Sequence, residues 1–327
     1  MRDLREAVSA AAATPGAFAD RVQARVAALG SVAVLGLDPD LRLMPPDLLR
    51  RARDRSGDLQ ELAAWAFREL GLALIDAAAD LAVAVKAQAA CYERYGAAGM
   101  AALADTVAYA RAAGMLAIVD GKRGDIAETM AAYGDAYLGE AAWEGLEARP
   151  FDADAMTISP YLGGDVVAPL LGLCASRGKG LFCLVRTSNP SAADLQRLQL
   201  ADGSTVAEAV ADLVSALNAG VPRPAASRFG PVGAVVAANL ADSDEAGRLR
   251  RRLDSALILA PGFGAQGGSA EQVRPLFCEH GAGLLVTASR SLIYAYRRPE
   301  LAGFEPAAAC RHALTEMNRD LARVWPR

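Results

Sequence analysis

The chain has 327 residues, a length that suits one large α/β domain or two ordinary ones. Its formal net charge is -4 and its basic residues are scattered, which argues against a surface that binds nucleic acid. No segment approaches the ~18 consecutive apolar residues of a membrane-spanning helix, and acidic residues near the start are unlike a signal peptide. We therefore expect a soluble, cytoplasmic protein that acts neither on nucleic acid nor at a membrane.

Cysteine and histidine usage limits the chemistry further. The five cysteines have no paired spacing, which predicts free thiols in a reducing compartment. The only two histidines, His280 and His312, lie late in the chain on predicted helices. Triads that depend on histidine are therefore nearly excluded, and no Cys/His cluster indicates a zinc site. We expect no bound metal.

The chain alternates between predicted helices and short apolar strands. A helix that starts at Thr14-Pro15 and ends at Gly30 precedes the first strand. Residues 41–57 are rich in proline, arginine and aspartate and predict a loop. Further helices are predicted over residues 59–79, 97–113, 126–141 and 306–323. The predicted strands comprise residues 32–37, 81–85, 115–119, 155–158, 180–185, 232–236, 256–259 and 283–286.

Strands that are short and apolar throughout are typical of a parallel sheet covered on both faces. Eight such strands alternating with helices predict a closed (β/α)8 TIM barrel. An open doubly wound sheet is the structural alternative, but eight regular repeats favour closure. We expect a single barrel domain over residues 1–327, with an N-terminal helical extension of about residues 1–30. Polar residues that follow the strands should then converge on one rim, where barrel active sites lie.

Charged side chains are most concentrated after the third predicted strand, in Asp120-Gly-Lys-Arg-Gly-Asp125. Because side chains alternate along a strand, Asp120 and Lys122 should point the same way. Only three of the 34 lysines and arginines are lysines, which indicates positions that need a compact ammonium able to release a proton. Two of them, Lys86 and Lys122, follow apolar runs. The alternative is a surface ion pair that caps the start of a helix.

A glycine-rich loop follows the seventh predicted strand, in Pro261-Gly-Phe-Gly-Ala-Gln-Gly-Gly268. Its GxGxxG pattern could indicate a dinucleotide site, but the next strand ends at Thr287 without the acidic residue that such a site requires. Phosphate binding fits better, because loops after the seventh and eighth strands of barrels commonly bind phosphate. Arg290 supplies a guanidinium suited to bidentate phosphate contact, unless it is only a surface helix residue.

Short motifs follow most of the predicted strands. They are Leu35-Gly-Leu-Asp-Pro39, Val85-Lys-Ala-Gln88 with Tyr92-Glu-Arg-Tyr-Gly96, Asp120-Gly-Lys-Arg-Gly-Asp-Ile126, Ser159-Pro-Tyr-Leu-Gly163, Thr187-Ser-Asn-Pro190, the glycine-rich loop and Ser289-Arg-Ser291. In this order they resemble the orotidine 5'-phosphate decarboxylase family in its longer bacterial form, whose DxKRGDI signature matches the third motif. The N-terminal extension and residues 41–57 are outside the resemblance, and we assign them no role.

The resemblance implies the loss of CO2 from orotidine 5'-monophosphate to give UMP, without a metal or an organic cofactor. It implies that Lys122 donates the proton to C6 of the pyrimidine and that Asp120 lies near the substrate carboxylate. It also implies that Asp125 and Thr129 reach into the site of a partner subunit. The protein would then be a homodimer with shared active sites.

The resemblance further implies how the substrate is held. Lys86 and Asp38 would bind the ribose hydroxyls and complete the charged array. Ser188 and Gln266 would bind the pyrimidine, and Arg290 the phosphate. All these residues follow predicted strands.

Two alternatives remain at this point. A magnesium-dependent hexulose-phosphate synthase of the same superfamily would share the DxKxxD core, although Thr187-Ser-Asn-Pro190, which offers Ser188 to a pyrimidine, argues against it. A non-catalytic nucleotide-binding barrel is the other alternative. Binding alone does not require a crowded cluster such as Asp120, Lys122 and Asp125, so we favour the decarboxylase.

Overall fold

The computed structural model describes residues 16–240, 242–264 and 267–326 of the chain. Within these residues, eight parallel strands close into a barrel in the order β1-β2-β3-β6-β7-β8-β9-β10, while β4 and β5 form a separate antiparallel hairpin. The predicted (β/α)8 barrel is confirmed. The strands are β1 (Ala33–Leu37), β2 (Ala84–Gln88), β3 (Leu116–Arg123), β4 (Ala141–Trp143), β5 (Leu146–Ala148), β6 (Ala155–Ile158), β7 (Gly180–Arg186), β8 (Val232–Val236), β9 (Ile258–Pro261) and β10 (Leu284–Ala288).

Helices precede, connect and follow the strands, and several begin with a side-chain cap. Asp58 accepts hydrogen bonds from the first amides of α3, and Thr205 forms a capping box with Glu208 at the start of α9. No helix of the described residues is both long and apolar enough to cross a membrane. The helices are α1 (Phe18–Leu29), α2 (Pro46–Arg55), α3 (Leu59–Ala78), α4 (Ala89–Glu93), α5 (Gly96–Ala112), α6 (Ala127–Tyr137), α7 (Ala168–Arg177), α8 (Ala193–Gln196), α9 (Val206–Ala219), α10 (Ser243–Arg252), α11 (Ala270–Val273), α12 (Arg290–Ile293) and α13 (Pro306–Val324).

The prediction of a loop over residues 41–57 is wrong, because α2 occupies most of this segment. Pro46 is its first residue, where a missing backbone N–H does no harm. Leu48 and Ala52 lie four residues apart and are buried, while the arginines and aspartates around them are exposed. The charged composition therefore described the solvent face of a short amphipathic helix.

Several strand boundaries also differ from the predicted ones. β2 begins at Ala84 and runs past Lys86 to Gln88, while Ala82 and Val83, just before it, are fully buried. An apolar run in the sequence therefore indicates buried residues, of which only some belong to the strand itself. The predicted helix over 126–141 ends at Tyr137, and the β4–β5 hairpin that follows was not predicted.

Helix α1 lies across the N-terminal end of the barrel. The Phe18 and Phe182 rings meet edge to face with centroids 5.9 Å apart, and Phe18 occupies the space where a side chain at Gly180 would lie. Arg21 donates to the carbonyl of residue 178, and Arg25 to carbonyls just before β2 and β3. The predicted helix is thus present, although its predicted start at Thr14-Pro15 falls outside the described residues.

Five charged residues form a network at this same end of the barrel, which we call the base cluster: Arg21, Arg111, Asp152, Asp154 and Lys179. Asp154 binds Arg21 at 2.6 Å, and Asp152 binds both Arg111 at 2.5 Å and Lys179 at 2.6 Å. The Lys179 ammonium also donates to the backbone carbonyls of residues 152 and 153. Each of its three protons therefore has an acceptor.

Candidate active site

A cavity of about 430 Å³ opens at the C-terminal ends of the barrel strands, opposite the base cluster. Its floor is formed by apolar side chains of β7, β8 and β9, and its wall by polar residues that follow the strands. This is the rim at which a barrel of this kind carries its active site. Six of the predicted site residues line it: Asp38, Lys86, Asp120, Lys122, Ser188 and Arg290.

Two further predicted site residues, Asp125 and Thr129, do not line this cavity. Asp125 accepts a hydrogen bond from the N–H of Ile126 at 2.7 Å, between β3 and α6. Thr129 lies in the first turn of α6. Gln266 lies outside the described residues.

Four charged residues at the cavity form an alternating line, which we call the rim cluster: Asp38, Lys86, Asp120 and Lys122. The Asp120 carboxylate lies between two ammonium groups, with Oδ2 at 2.6 Å from Lys86 Nζ and Oδ1 at 2.6 Å from Lys122 Nζ. On the far side of Lys86, Asp38 Oδ1 is 3.9 Å from Nζ. Residues that are far apart in sequence thus bring two positive and two negative charges to one wall of the cavity.

Burial and charge act in opposite directions on this cluster. Burial raises the pKa of the Asp120 carboxyl, but the ammonium groups of Lys86 and Lys122 outweigh it and hold that pKa well below its usual range. Burial lowers the pKa of Lys86, but the carboxylates of Asp120 and Asp38 outweigh it and raise that pKa. Asp120 is only 6% exposed and Lys86 only 3%. Lys86 and Asp120 therefore do not form a surface ion pair, whereas the Lys122 side chain of the same cluster is 43% exposed.

Two uncharged side chains complete the surroundings of Asp120. Gln88 Nε2 donates to Oδ2 at 3.2 Å, and Thr157 Oγ1 donates to Oδ1 at 2.8 Å. With the two lysines, each carboxylate oxygen accepts two hydrogen bonds, which fixes its orientation. Gln88 is the last residue of the motif Val85-Lys-Ala-Gln88, but the sequence assigned it no role. Thr157 is the one polar residue of the apolar strand β6, and no other feature of the sequence indicated that it has a role.

The backbone at Lys122 departs from a regular strand. Its φ is +48°, in the left-handed region, where a non-glycine residue costs about 1–3 kcal/mol. The register with β6 pairs Val119 with Met156 and then Arg123 with Ile158, so three residues of β3 lie opposite Thr157 alone. The predicted proximity of Asp120 and Lys122 is confirmed, but it arises from a bulge and not from simple alternation.

The close approach of β1 and β10 brings Asp38 and Arg290 to the same rim. A Cβ on Gly36 would lie 2.0 Å from Ser289 Oγ and 2.9 Å from the carbonyl oxygen of Ala288, so only glycine fits there. Beyond it, Asp38 Oδ1 is buried and has no hydrogen-bond partner among the described residues. It is an acceptor available to a ligand that enters the cavity.

The segment that carries Ser188 is held by hydrogen bonds to Thr187, the residue before it. Gln196, in α8, accepts from the Thr187 N–H at 2.9 Å and donates to Thr187 Oγ1 at 2.8 Å. Arg186 donates to the Thr187 carbonyl at 2.9 Å and is itself held by Glu245 at 2.7 Å. Both peptide groups of Thr187 are therefore fixed, and with them the start of the Ser188 backbone. Nothing in the sequence pattern pointed to Gln196 or Glu245.

Arg290 begins α12 and is exposed at the cavity. Among the described residues it has no carboxylate partner within ion-pair distance. Gly262 and Phe263 of the glycine-rich loop line the same cavity, and that loop leads only into the four-residue helix α11. This arrangement is unlike the long helix start of a dinucleotide fold and leaves a guanidinium free to meet an anion.

The described residues contain no group of three or more His, Cys, Asp and Glu side chains arranged to hold a metal ion. All five cysteines are unpaired, and burial raises the pKa of Cys91, which lies near Asp38 and Lys86, to about 11. A thiolate nucleophile is therefore not available at this rim at neutral pH. The wall of the cavity offers charged groups, among them one partly exposed ammonium, and hydrogen-bonding groups.

Comparison with known proteins agrees with this geometry. Residues 45–302 match the model of the family described as "Orotidine 5'-phosphate decarboxylase / HUMPS family". A relative from Rhodopirellula baltica named orotidine 5'-phosphate decarboxylase is 41% identical over 93% of this chain and 98% of its own length. One of the same name from Caldicellulosiruptor saccharolyticus is 35% identical over 89% of this chain and 94% of its own.

Solved structures give the same result. The structure of Leishmania donovani OMP decarboxylase superposes with a TM-score of 0.70 at 29% identity, covering 94% of this chain and 98% of that one. The family match spans most of the barrel, including β2, β3 and the loops after β9 and β10, and the relatives align over nearly their full length. The chain, with its line of alternating charges at the rim, therefore belongs to the orotidine 5'-phosphate decarboxylase / HUMPS family.

Proposed function

We propose that this chain converts orotidine 5'-monophosphate to UMP and CO2 in pyrimidine nucleotide synthesis, without a metal or an organic cofactor. The observation that carries the proposal is the rim cluster, in which one carboxylate is held between two ammonium groups at 2.6 Å from each. The names of the nearly full-length relatives support the same reaction.

The reaction requires a stabilised carbanion. When the bond from C6 to the carboxylate breaks, its electron pair stays on C6, and no adjacent carbonyl can delocalise it. Lys122 lines the cavity and its side chain is 43% exposed, so its ammonium can approach C6. A fixed positive charge there stabilises the carbanion, and one of its protons then forms the C6–H bond of UMP. The neutral amine regains a proton from solvent.

Asp120 has a different role in this proposal. Its low pKa keeps it charged, and we place the substrate carboxylate beside it. Repulsion between the two negative groups raises the energy of the bound substrate and disappears as CO2 departs. Lys86 on one side and Lys122 on the other keep Asp120 ionised and in place.

The remaining cavity residues would hold the nucleotide. We assign the ribose hydroxyls to Lys86 and Asp38, which is supported by the unpartnered Oδ1 of Asp38. We assign the pyrimidine to Ser188 and Gln266, and the phosphate to Arg290. Binding energy from the phosphate, which does not react, can then serve to orient the pyrimidine against Lys122.

We further propose a homodimer in which Asp125 and Thr129 act in the cavity of the partner subunit. Ile126 beside Asp125, and Tyr161 and Leu162 in the loop after the adjacent strand β6, are exposed apolar residues on the same rim. An apolar surface of this kind is typical of a subunit interface. We also propose a single barrel domain over residues 1–327 and a cytoplasmic location, which the unpaired cysteines favour.

The dimer is tested by complementation. Lys122→Ala and Asp125→Ala should each be nearly inactive as homodimers. In a two-fold heterodimer both lesions fall in one site, and the other site is native. Random exchange makes about half the dimers mixed, so the mixture should recover roughly a quarter of wild-type sites. If exchange is verified and activity stays at background, Asp125 acts within its own chain.

The reaction is tested by an absorbance assay with orotidine 5'-monophosphate, with and without EDTA. The wild type should decarboxylate the substrate at the same rate in both conditions, and Lys122→Ala should be the inactive control. Loss of turnover in EDTA and recovery in magnesium would support the hexulose-phosphate synthase alternative. Binding of UMP without any turnover would support the non-catalytic barrel.

A further inference from the structure

Thr157 is the residue of β6 that faces the bulge at Lys122. It is 1% exposed and lies at the cavity wall. Its hydroxyl accepts a hydrogen bond from the backbone N–H of Lys122 at 2.9 Å and donates one to Asp120 Oδ1 at 2.8 Å. One side chain thus binds the backbone of the proposed proton donor and the carboxylate that holds its ammonium.

The position of these bonds matters because the sheet is interrupted there. Between the pairs Val119–Met156 and Arg123–Ile158, three residues of β3 face Thr157 alone. Backbone pairing resumes where the N–H of Ser159 donates to the Arg123 carbonyl at 2.7 Å. Inside the gap, the Thr157 hydroxyl replaces the missing ladder bond to the Lys122 N–H.

The backbone conformation that these bonds impose on Lys122 is an unfavourable one. Lys122 has φ of +48°, which lysine rarely adopts unless its surroundings impose it. The bond from Thr157 to Lys122 N holds the backbone there, and the bond to Asp120 Oδ1 holds the oxygen that accepts from Lys122 Nζ. The start and the end of the lysine side chain are therefore fixed by the same hydroxyl, one directly and one through Asp120.

We propose that Thr157 is a positioning residue that aims the Lys122 ammonium into the cavity by closing the bulge of β3. This inference rests on the proposed function. A threonine hydroxyl has one proton and can accept in addition, and both capacities are used here. Valine has nearly the same shape but neither capacity, whereas serine retains both.

The test compares kcat and KM for orotidine 5'-monophosphate in the wild type, Thr157→Val and Thr157→Ser. Thr157→Val should lower kcat by roughly 10- to 100-fold, because a small displacement of a catalytic group has effects of that order. KM and the dissociation constant of UMP should change by less than about threefold, since the contacts to the nucleotide remain. Thr157→Ser should restore kcat to within about threefold of the wild type, because the hydroxyl is back.

Thr106→Val is the matched control. Thr106 is fully buried, its hydroxyl donates to the carbonyl of residue 102 within α5, and it does not line the cavity. The Thr106→Val variant also exchanges a buried threonine hydroxyl for a methyl group. It should therefore lose stability but keep kcat per folded molecule. Thr157→Ala adds no methyl group against Asp120 and serves if the valine variant does not fold; it should lose kcat to the same extent.

The inference is overturned if Thr157→Val or Thr157→Ala keeps kcat within twofold of the wild type, if serine restores nothing, or if Thr106→Val loses kcat equally. A wild type that does not decarboxylate orotidine 5'-monophosphate would overturn the proposed function instead. The two failures are therefore distinguishable in one set of measurements.

Discussion

The rim cluster and the base cluster lie at opposite ends of one barrel and are built from the same kinds of residue. Each has a lysine ammonium 2.6 Å from an aspartate. Each also contains a non-glycine residue with left-handed backbone, Lys122 at φ +48° and Asp152 at φ +47°. Neither buried ion pairs nor backbone strain distinguishes the two ends.

The clusters differ in how their lysines are satisfied and in whether they face a cavity, although the base cluster also contains one buried nitrogen without a hydrogen-bond partner, Arg21 Nε. In the base cluster the Lys179 ammonium has three acceptors, and its side chain is 6% exposed. At the rim the Lys122 side chain is 43% exposed and lines a cavity, and Asp38 Oδ1 has no hydrogen-bond partner among the described residues. Unused hydrogen-bonding capacity beside a cavity is therefore the feature that marks the active end. The base cluster does not line the cavity and joins α1 and α5 to the segments that precede β6 and β7.

The largest expected effect comes from replacing Lys122, the partly exposed one of the two lysines in the rim cluster. Lys122→Ala removes both the proposed proton donor and the charge proposed to stabilise the carbanion, so kcat should fall by about 10⁴-fold or more. The free energy of unfolding should change by less than about 1 kcal/mol, because Lys122 is partly exposed and Asp120 keeps Lys86. Steady-state kinetics and urea unfolding measure the two quantities. A variant that retains a tenth of wild-type kcat would remove Lys122 from the chemistry.

Replacing the lysine of the base cluster should have the opposite effect. Lys179→Met keeps an apolar stem of similar length but removes the ammonium from two buried carbonyls and Asp152. We expect a loss of about 3 kcal/mol in the free energy of unfolding, at the low end for a broken buried pair because Asp152 keeps Arg111. The kcat per folded molecule should be unchanged. A loss of kcat in fully folded protein would mean that the base cluster acts on the site.

In acid the two clusters should behave alike. Burial raises the pKa values of both Asp120 and Asp152, but their basic partners outweigh it and lower both. A carboxyl with a lowered folded-state pKa stabilises the protein above its unfolded pKa of about 3.9, and that stability is lost as pH falls toward the folded value.

We therefore compare the wild type with Asp120→Asn and with Asp152→Asn by urea unfolding between pH 6 and pH 3. For each variant the stability difference from the wild type should be constant above about pH 5 and should shrink by up to about 1.4 kcal/mol per pH unit below about pH 4. A difference that stays constant to pH 3 would mean that the carboxyl has an ordinary folded-state pKa.

The sequence predicted the active end well for a physical reason. Lysine was scarce, so Lys86 and Lys122 stood out, and both follow apolar runs whose ends meet at one rim of a barrel. Lys179 is equally scarce but precedes its strand, and it belongs to the base cluster. Position relative to the strand, together with residue type, separated the two lysines that line the cavity from the one in the base cluster.

The residues that the sequence did not reveal act across strands. Thr157 bonds Asp120, 37 positions away, and its role depends on a bulge that no periodicity encodes. Gln196 acts through a short irregular segment after β7. The helix over Pro46–Arg55 was missed because only two of its residues are buried, too few to impose an apolar period. Local patterns indicate which residues are buried or charged, whereas pairing between distant segments determines what those residues touch.

The smallest expected effect concerns Arg290, a cation of the rim that has no carboxylate partner among the residues that the structure describes. Arg290→Ala should weaken UMP binding by about 1.5 kcal/mol, roughly tenfold, the low end for a hydrogen bond to a charged group because the guanidinium is exposed. Uridine, which lacks the phosphate, should bind to wild type and variant with the same affinity. Arg297→Ala is the matched control, since Arg297 is also exposed and follows α12 but does not line the cavity. Calorimetric titration at two salt concentrations should give a smaller salt dependence for Arg290→Ala than for either the wild type or the control. Equal losses of affinity for UMP and uridine would place Arg290 outside the phosphate site. The glycine-rich loop would then be the main donor of hydrogen bonds to the phosphate.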